Sequence, residues 1–158
     1  MRGLWNVGVA VAVALVVVQV PSAGAVEIGL GVMAPGGAGD AVGLMVLAPH
    51  AVLELGVLGL GVDAWLSPGG ETYFLLPFLQ IQIPLALVKL YAGIAPIFFG
   101  GDGGITLLPP ALGVAAKLGA RVALLGPLGA YGEAILGVSP LALDISSVSF
   151  VVGASFSF

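Results

Sequence analysis

The sequence predicts an all-β fold, an eight-stranded antiparallel up-and-down transmembrane β-barrel preceded by an N-terminal signal-peptide helix. Three observations predict it. The 158-residue chain is 59% hydrophobic and only 8% charged, with a mean hydropathy of +1.21, against an apolar content of roughly 45–50% in water-soluble domains. Its 26 Gly and 11 Pro recur every few residues and interrupt any helix long enough to cross lipid. Apolar residues alternate with small or polar ones at period two rather than 3.6. Lipid offers no water to unpaired backbone groups, so a chain that cannot cross as helices must cross as a closed sheet.

The first element is an export address. Arg2 precedes the apolar run VGVAVAVALVVVQV at residues 7–20, and Pro21-Ser22-Ala23-Gly24-Ala25 ends it with a helix breaker and an A-x-A pattern. Residues 1–25 therefore read as a secretory signal peptide cleaved after Ala25, leaving residues 26–158 as the barrel. A retained anchor is the weaker alternative, since the run with its flanks nearly reaches the roughly 20 residues of a spanning helix.

Eight strands follow, at 26–34, 41–48, 51–66, 72–83, 85–99, 111–124, 128–138 and 147–158. Alternation is clearest in the sixth, where Leu112, Val114, Ala116, Leu118, Ala120, Val122 and Leu124 oppose Gly113, Lys117, Gly119 and Arg121. In the first, Val26, Ile28, Leu30 and Val32 oppose Glu27, Gly29 and Gly31. In the fourth, Tyr73, Leu75, Leu79, Ile81 and Ile83 oppose Gln80 and Gln82. The breaks between strands alternate in kind. Short proline-bearing turns fall at Ala48-Pro49-His50, Ile83-Pro84-Leu85 and Gly126-Pro127-Leu128, while longer Gly-rich loops each carry an acid, Asp40, Glu71, Asp102 or Asp144. An even strand number with short turns at one end and longer loops at the other is the layout of outer-membrane barrels.

This layout, together with the ending SVSFVVGASFSF, resembles the small eight-stranded outer-membrane proteins of Gram-negative bacteria, the OmpA/OmpX/OmpW-like group. The resemblance implies that the alternating apolar residues of the last strand, Val148, Phe150, Val152, Ala154, Phe156 and Phe158, are read by the barrel-assembly machinery. It also implies residence in the cell outer membrane.

Parity assigns the faces. Trp65, Tyr73 and Phe98 are expected on the lipid face beside the acidic loops, and Phe156 and Phe158 at the opposite end, as two aromatic girdles. Asp63 shares the parity of Trp65 and would face lipid. The inner face receives Glu27, Glu54, Lys89, Lys117, Arg121 and Glu133, three acids against three bases, with Gln80, Gln82, Tyr91 and Tyr131. An eight-stranded barrel is just wide enough for side chains to fill, so these charges are expected to form a compensated ion-pair network.

Other chemistry is thinly represented. Four Lys and Arg without a cluster give no phosphate-binding surface, so no nucleic-acid partner is expected. The absence of Cys excludes thiolate metal sites, and the single His50, expected in a turn, leaves no metal centre, cofactor or nucleophile–base pair. The chain is not expected to be an enzyme. The leading reading is a structural or surface-interaction protein of the envelope with membrane lipid as partner. The second is a narrow channel or binding barrel for small hydrophobic molecules, on the strength of inward Leu58, Leu60, Phe74, Leu76, Phe78, Gly93 and Gly119. The lowest is a polytopic α-helical membrane protein crossing through the long apolar stretches at 41–66 and 83–99.

Overall fold

Ten strands make up the described part of the chain: β1 (Ala25–Gly36), β2 (Val46–Leu55), β3 (Leu58–Leu66), β4 (Tyr73–Leu85), β5 (Val88–Ala95), β6 (Phe98–Gly101), β7 (Gly104–Leu107), β8 (Val114–Leu125), β9 (Leu128–Ser139) and β10 (Asp144–Ser157). The computed structural model describes residues 24–36, 46–67, 72–101, 104–107, 114–139 and 144–158. The expected leader, apart from Gly24 and Ala25, lies outside these residues, as do Asp40, Glu71 and Asp102.

Antiparallel pairing runs β1–β2–β3–β4–β5–β8–β9–β10, and β10 returns to β1. Eight strands thus close on themselves, leaving no sheet edge within lipid. The short strands β6 and β7 form a hairpin that extends β4 above β5, with Tyr73, Phe74 and Leu75 facing Gly100, Phe99 and Phe98. The helical alternative is displaced, because the described residues of 41–66 and 83–99 are strands and the turns between them.

Side chains sort by face in the inverse of a water-soluble protein. Leu30, Leu79, Ile81, Ile94, Leu118 and Val152 are exposed on the outside, while Glu27, Gln80, Gln82, Lys117, Arg121 and Glu133 are buried inside. Polar inside and apolar outside is the pattern a lipid solvent selects.

Two of the expected turns are displaced. Pro49 sits within β2 opposite Leu30, and Pro84 lies near the end of β4 opposite Lys89. The chain reverses instead at Gly56-Val57 and Ala86-Leu87, and at Gly126-Pro127 as expected. In each pair the first residue has positive φ, +68° at Gly56, +49° at Ala86 and +56° at Gly126. That sign pattern is what a two-residue type II′ hairpin requires, because its twist matches that of the flanking strands. Proline removes one ladder donor, which marks a lost hydrogen bond and not a reversal.

The turn at Gly56-Val57 corrects the faces of the second and third strands. Two-residue closure sets Glu54 opposite Gly59 and His50 opposite Asp63, so the inward parity is even on β2 and odd on β3. Leu58 and Leu60, expected inside, are exposed on the outer face. Asp63, expected against lipid, is buried inside. Trp65 follows it inward, where it packs on the buried apolar cluster with its ring 6.1 Å from that of Phe74. The loop-end girdle therefore loses Trp65. Phe98 keeps the outward side, opposite Leu75 of β4, and Tyr73 shares that side of β4.

The charged lumen

Strand stagger divides the interior into two layers. At the loop end, Met33, Ala48, Leu76, Phe78, Ala95, Ala115, Ile135 and Val151 form a buried apolar layer, with Trp65, Phe74 and Ile97 packed on it. Towards the turn end the inward positions become charged.

Two ion clusters occupy that lower half. In the first, Lys117 Nζ on β8 lies 3.1 Å from Asp63 Oδ2 on β3 and 3.2 Å from Glu133 Oε1 on β9. Tyr91 Oη on β5 donates to Glu133 Oε1 at 2.8 Å. The Lys117 ammonium also stands 3.5 Å above the centre of the Phe78 ring, a cation–π contact that compensates a desolvated cation. In the second cluster, Glu27 on β1 receives Arg121 Nη1 at 3.2 Å, Lys89 Nζ at 3.6 Å and His50 Nε2 at 3.5 Å. Lys89 also pairs with Glu54. Arg121 ties in two further parts, donating from Nε to Ser155 Oγ at 2.8 Å on β10 and from Nη2 to the Pro127 carbonyl at 3.2 Å in the turn after β8.

All six charged residues expected inside, Glu27, Glu54, Lys89, Lys117, Arg121 and Glu133, meet in these clusters. Sequence parity missed two partners. Parity places Asp63 against lipid and His50 in a turn, and both differences trace to a reversal that falls at Gly56-Val57 rather than at Pro49. His50 lies within β2, buried, with its ring 4.4 Å from that of Tyr131 in an edge-on arrangement. The described lumen thus holds four acids against Lys89, Lys117 and Arg121, with His50 beside Glu27. Of the remaining expected residues, Phe150, Val152, Ala154, Phe156 and Phe158 lie on the outside of β10 and beyond its end, the Phe156 and Phe158 rings 5.9 Å apart. Asp144 begins β10.

Glycine makes this interior possible. Inward Gly29, Gly59, Gly119 and Gly129 lie under the side chains of His50, Gln80, Tyr91 and Arg121, each where a β-carbon would collide. Small and large residues thereby alternate across strands to fit a narrow barrel. The space left between the two clusters, bounded by Glu27, His50, Gln80, Tyr91 and Lys117 among others, is about 10 Å³. That is no more than a single water requires. The arrangement can hold strands together and exclude bulk water. Among the described residues no group of three or more His, Asp or Glu is placed to hold a metal ion.

A closed antiparallel barrel of eight strands with a packed interior, apolar at one end and charged towards the other, and an apolar exterior has the fold of a transmembrane β-barrel. Solved structures share it. The chain is similar to a de novo designed transmembrane β-barrel, with 14% identity, a TM-score of 0.63, and coverage of 87% of this chain and 98% of the other. It is also similar to the N-terminal β-barrel domain of Pseudomonas aeruginosa OprF, with 9% identity, a TM-score of 0.61, and coverage of 85% and 99%. No family model matches the chain, and no curated protein matches it.

Proposed function

We propose that the chain is an integral outer-membrane β-barrel protein, exported through its signal peptide, with a structural or surface-interaction role in the cell envelope and no catalytic one. The observation that carries this reading is the filled lumen. An apolar layer closes the loop end, paired charges close the remainder, and the space between the clusters is about 10 Å³. Among the described residues, the space between the charged clusters is too small for an acyl chain. Membrane lipid is then the standing partner of the outer face, and the barrel-assembly machinery a transient one acting at β10 and the Phe158 that follows it.

The reading is tested by reconstituting the purified barrel in planar bilayers and by lipid extraction of the same preparation. The expected outcome is a silent bilayer and no stoichiometric small molecule. Discrete channel openings, or one hydrophobic molecule recovered per barrel, would establish the conduit reading instead. Fractionation with a heat-modifiability gel tests the location, the expected result being a boiling-dependent mobility shift in the outer-membrane fraction.

A further inference from the structure

The three turns at the end opposite the acidic loops share a composition that a filled lumen does not explain. Gly56-Val57, Ala86-Leu87 and Gly126-Pro127, with their neighbours Leu55, Leu85, Leu125 and Leu128, carry no charged or hydrogen-bonding side chain. They are not tucked under the barrel. Val57 is 62% exposed, Leu87 69% and Leu125 80%. Holding such side chains in water forfeits roughly 1.5–3 kcal/mol each relative to burial. The acids gather towards the other end in the sequence, where Asp40, Glu71 and Asp102 fall between strand segments and Asp144 begins β10.

Height along the barrel is a second observation. Phe156 of β10 pairs with Leu128 of β9, and Ser157 N donates to the Pro127 carbonyl at 2.9 Å. The ring pair Phe156 and Phe158 therefore stands level with a turn and not several residues inside it. Aromatic girdles mark the boundary between hydrocarbon and water, so the Gly126-Pro127 turn has no span of strand left with which to project beyond it. A third observation is continuity. Ile83 and Leu85 on β4, Leu90 on β5, and Leu124 and Leu125 at the end of β8 are all exposed, and they carry the outer apolar surface into the turns without a polar break.

We propose that these turns form a lipid-embedded rim, with acyl chains of the near leaflet closing over Val57, Leu87 and Leu125. The barrel ends within the membrane on this side. Water meets the protein there through the lumen mouth, where Lys89 and Glu54 are the least buried members of the charged clusters, at 19% and 16% side-chain exposure. The rim rests on the membrane-barrel reading of the fold, and its test separates the two.

The chain contains no cysteine, so Val57→Cys, Leu87→Cys and Leu125→Cys each place a bimane fluorophore at one site, and Leu79→Cys places one on the outward face of mid-β4. Each labelled barrel is folded into phosphatidylcholine vesicles that carry iodide on both sides, or into vesicles whose phosphatidylcholine is brominated near the top of the acyl chains. A rim predicts bromolipid quenching at all three turns within about two-fold of that at Leu79, with little quenching by iodide. Iodide quenching at the turns together with bromolipid quenching at Leu79 would overturn the rim and leave the membrane barrel standing. Turns shielded from both quenchers would be covered by protein, a second copy of the chain, and this too would overturn it. Iodide quenching at Leu79 would remove the membrane barrel and the rim with it.

Discussion

Lys117 faces two acids at once, and its side chain is 4% exposed. Asp63 and Glu133 share its ammonium across the lumen, so removing it strands two carboxylates in an interior they cannot leave. Breaking a buried pair by deleting one partner costs about 3–5 kcal/mol. Lys117→Met, which keeps the length of the side chain and its contact with Phe78, is expected to lower the temperature at which the folded band disappears on a heat-modifiability gel. Adding Asp63→Asn removes one of the two stranded charges and is expected to recover part of that loss. An equal or larger loss in the double variant would show that Lys117 acts through packing alone. The six charges expected inside were legible at this scale because period two assigns a face to each residue. His50 and Asp63 were not legible, because proline at position 49 suggests a turn where the chain in fact runs straight.

Pairs of neighbouring strands are coupled by shape as much as by hydrogen bonds. Tyr91 on β5 lies opposite Gly119 on β8, and the ring occupies the place a β-carbon at Gly119 would take. That position also lets the Tyr91 hydroxyl reach Glu133 on β9, so one glycine links three strands. Gly119→Ala forces the ring aside and is expected to cost about 1–3 kcal/mol by overpacking. Tyr91→Leu removes the obstruction, so the double variant is expected to fall short of the sum of the single losses, with the coupling read by equilibrium urea unfolding in detergent micelles. Additive losses would mean that β5 and β8 adjust independently. The eight barrel strands and their order were readable from alternation and break spacing, as was the turn at Gly126-Pro127, whereas the other two turns were not. A two-residue reversal needs only one residue of positive φ, and at Ala86 the chain supplies it without the glycine that would have announced it.

At the scale of the whole barrel, the division of the lumen into an apolar layer and a charged layer depends on stagger, which no single strand encodes. Lys117 and Asp63 are 54 residues apart on strands that do not pair, and Trp65 reaches the apolar layer only because the preceding turn reverses its face. The two layers should not obstruct ions equally. A charged layer can exchange partners and admit water as it does so, since Glu27 and Lys117 each already serve more than one counter-charge. An apolar layer offers water nothing and gates by excluding it. Leu76 and Phe78, buried in that layer on β4, are its bulk, and the double variant Leu76→Ala, Phe78→Ala opens a void at a cost of roughly 5–10 kcal/mol if the two losses add. If enough of that variant folds to be reconstituted, it is expected to pass measurable current where the parent is silent. Lys117→Met, which thins only the charged layer, is expected to stay silent. Current through Lys117→Met with none through the apolar-layer variant would reverse the assignment and make the ion pairs the barrier.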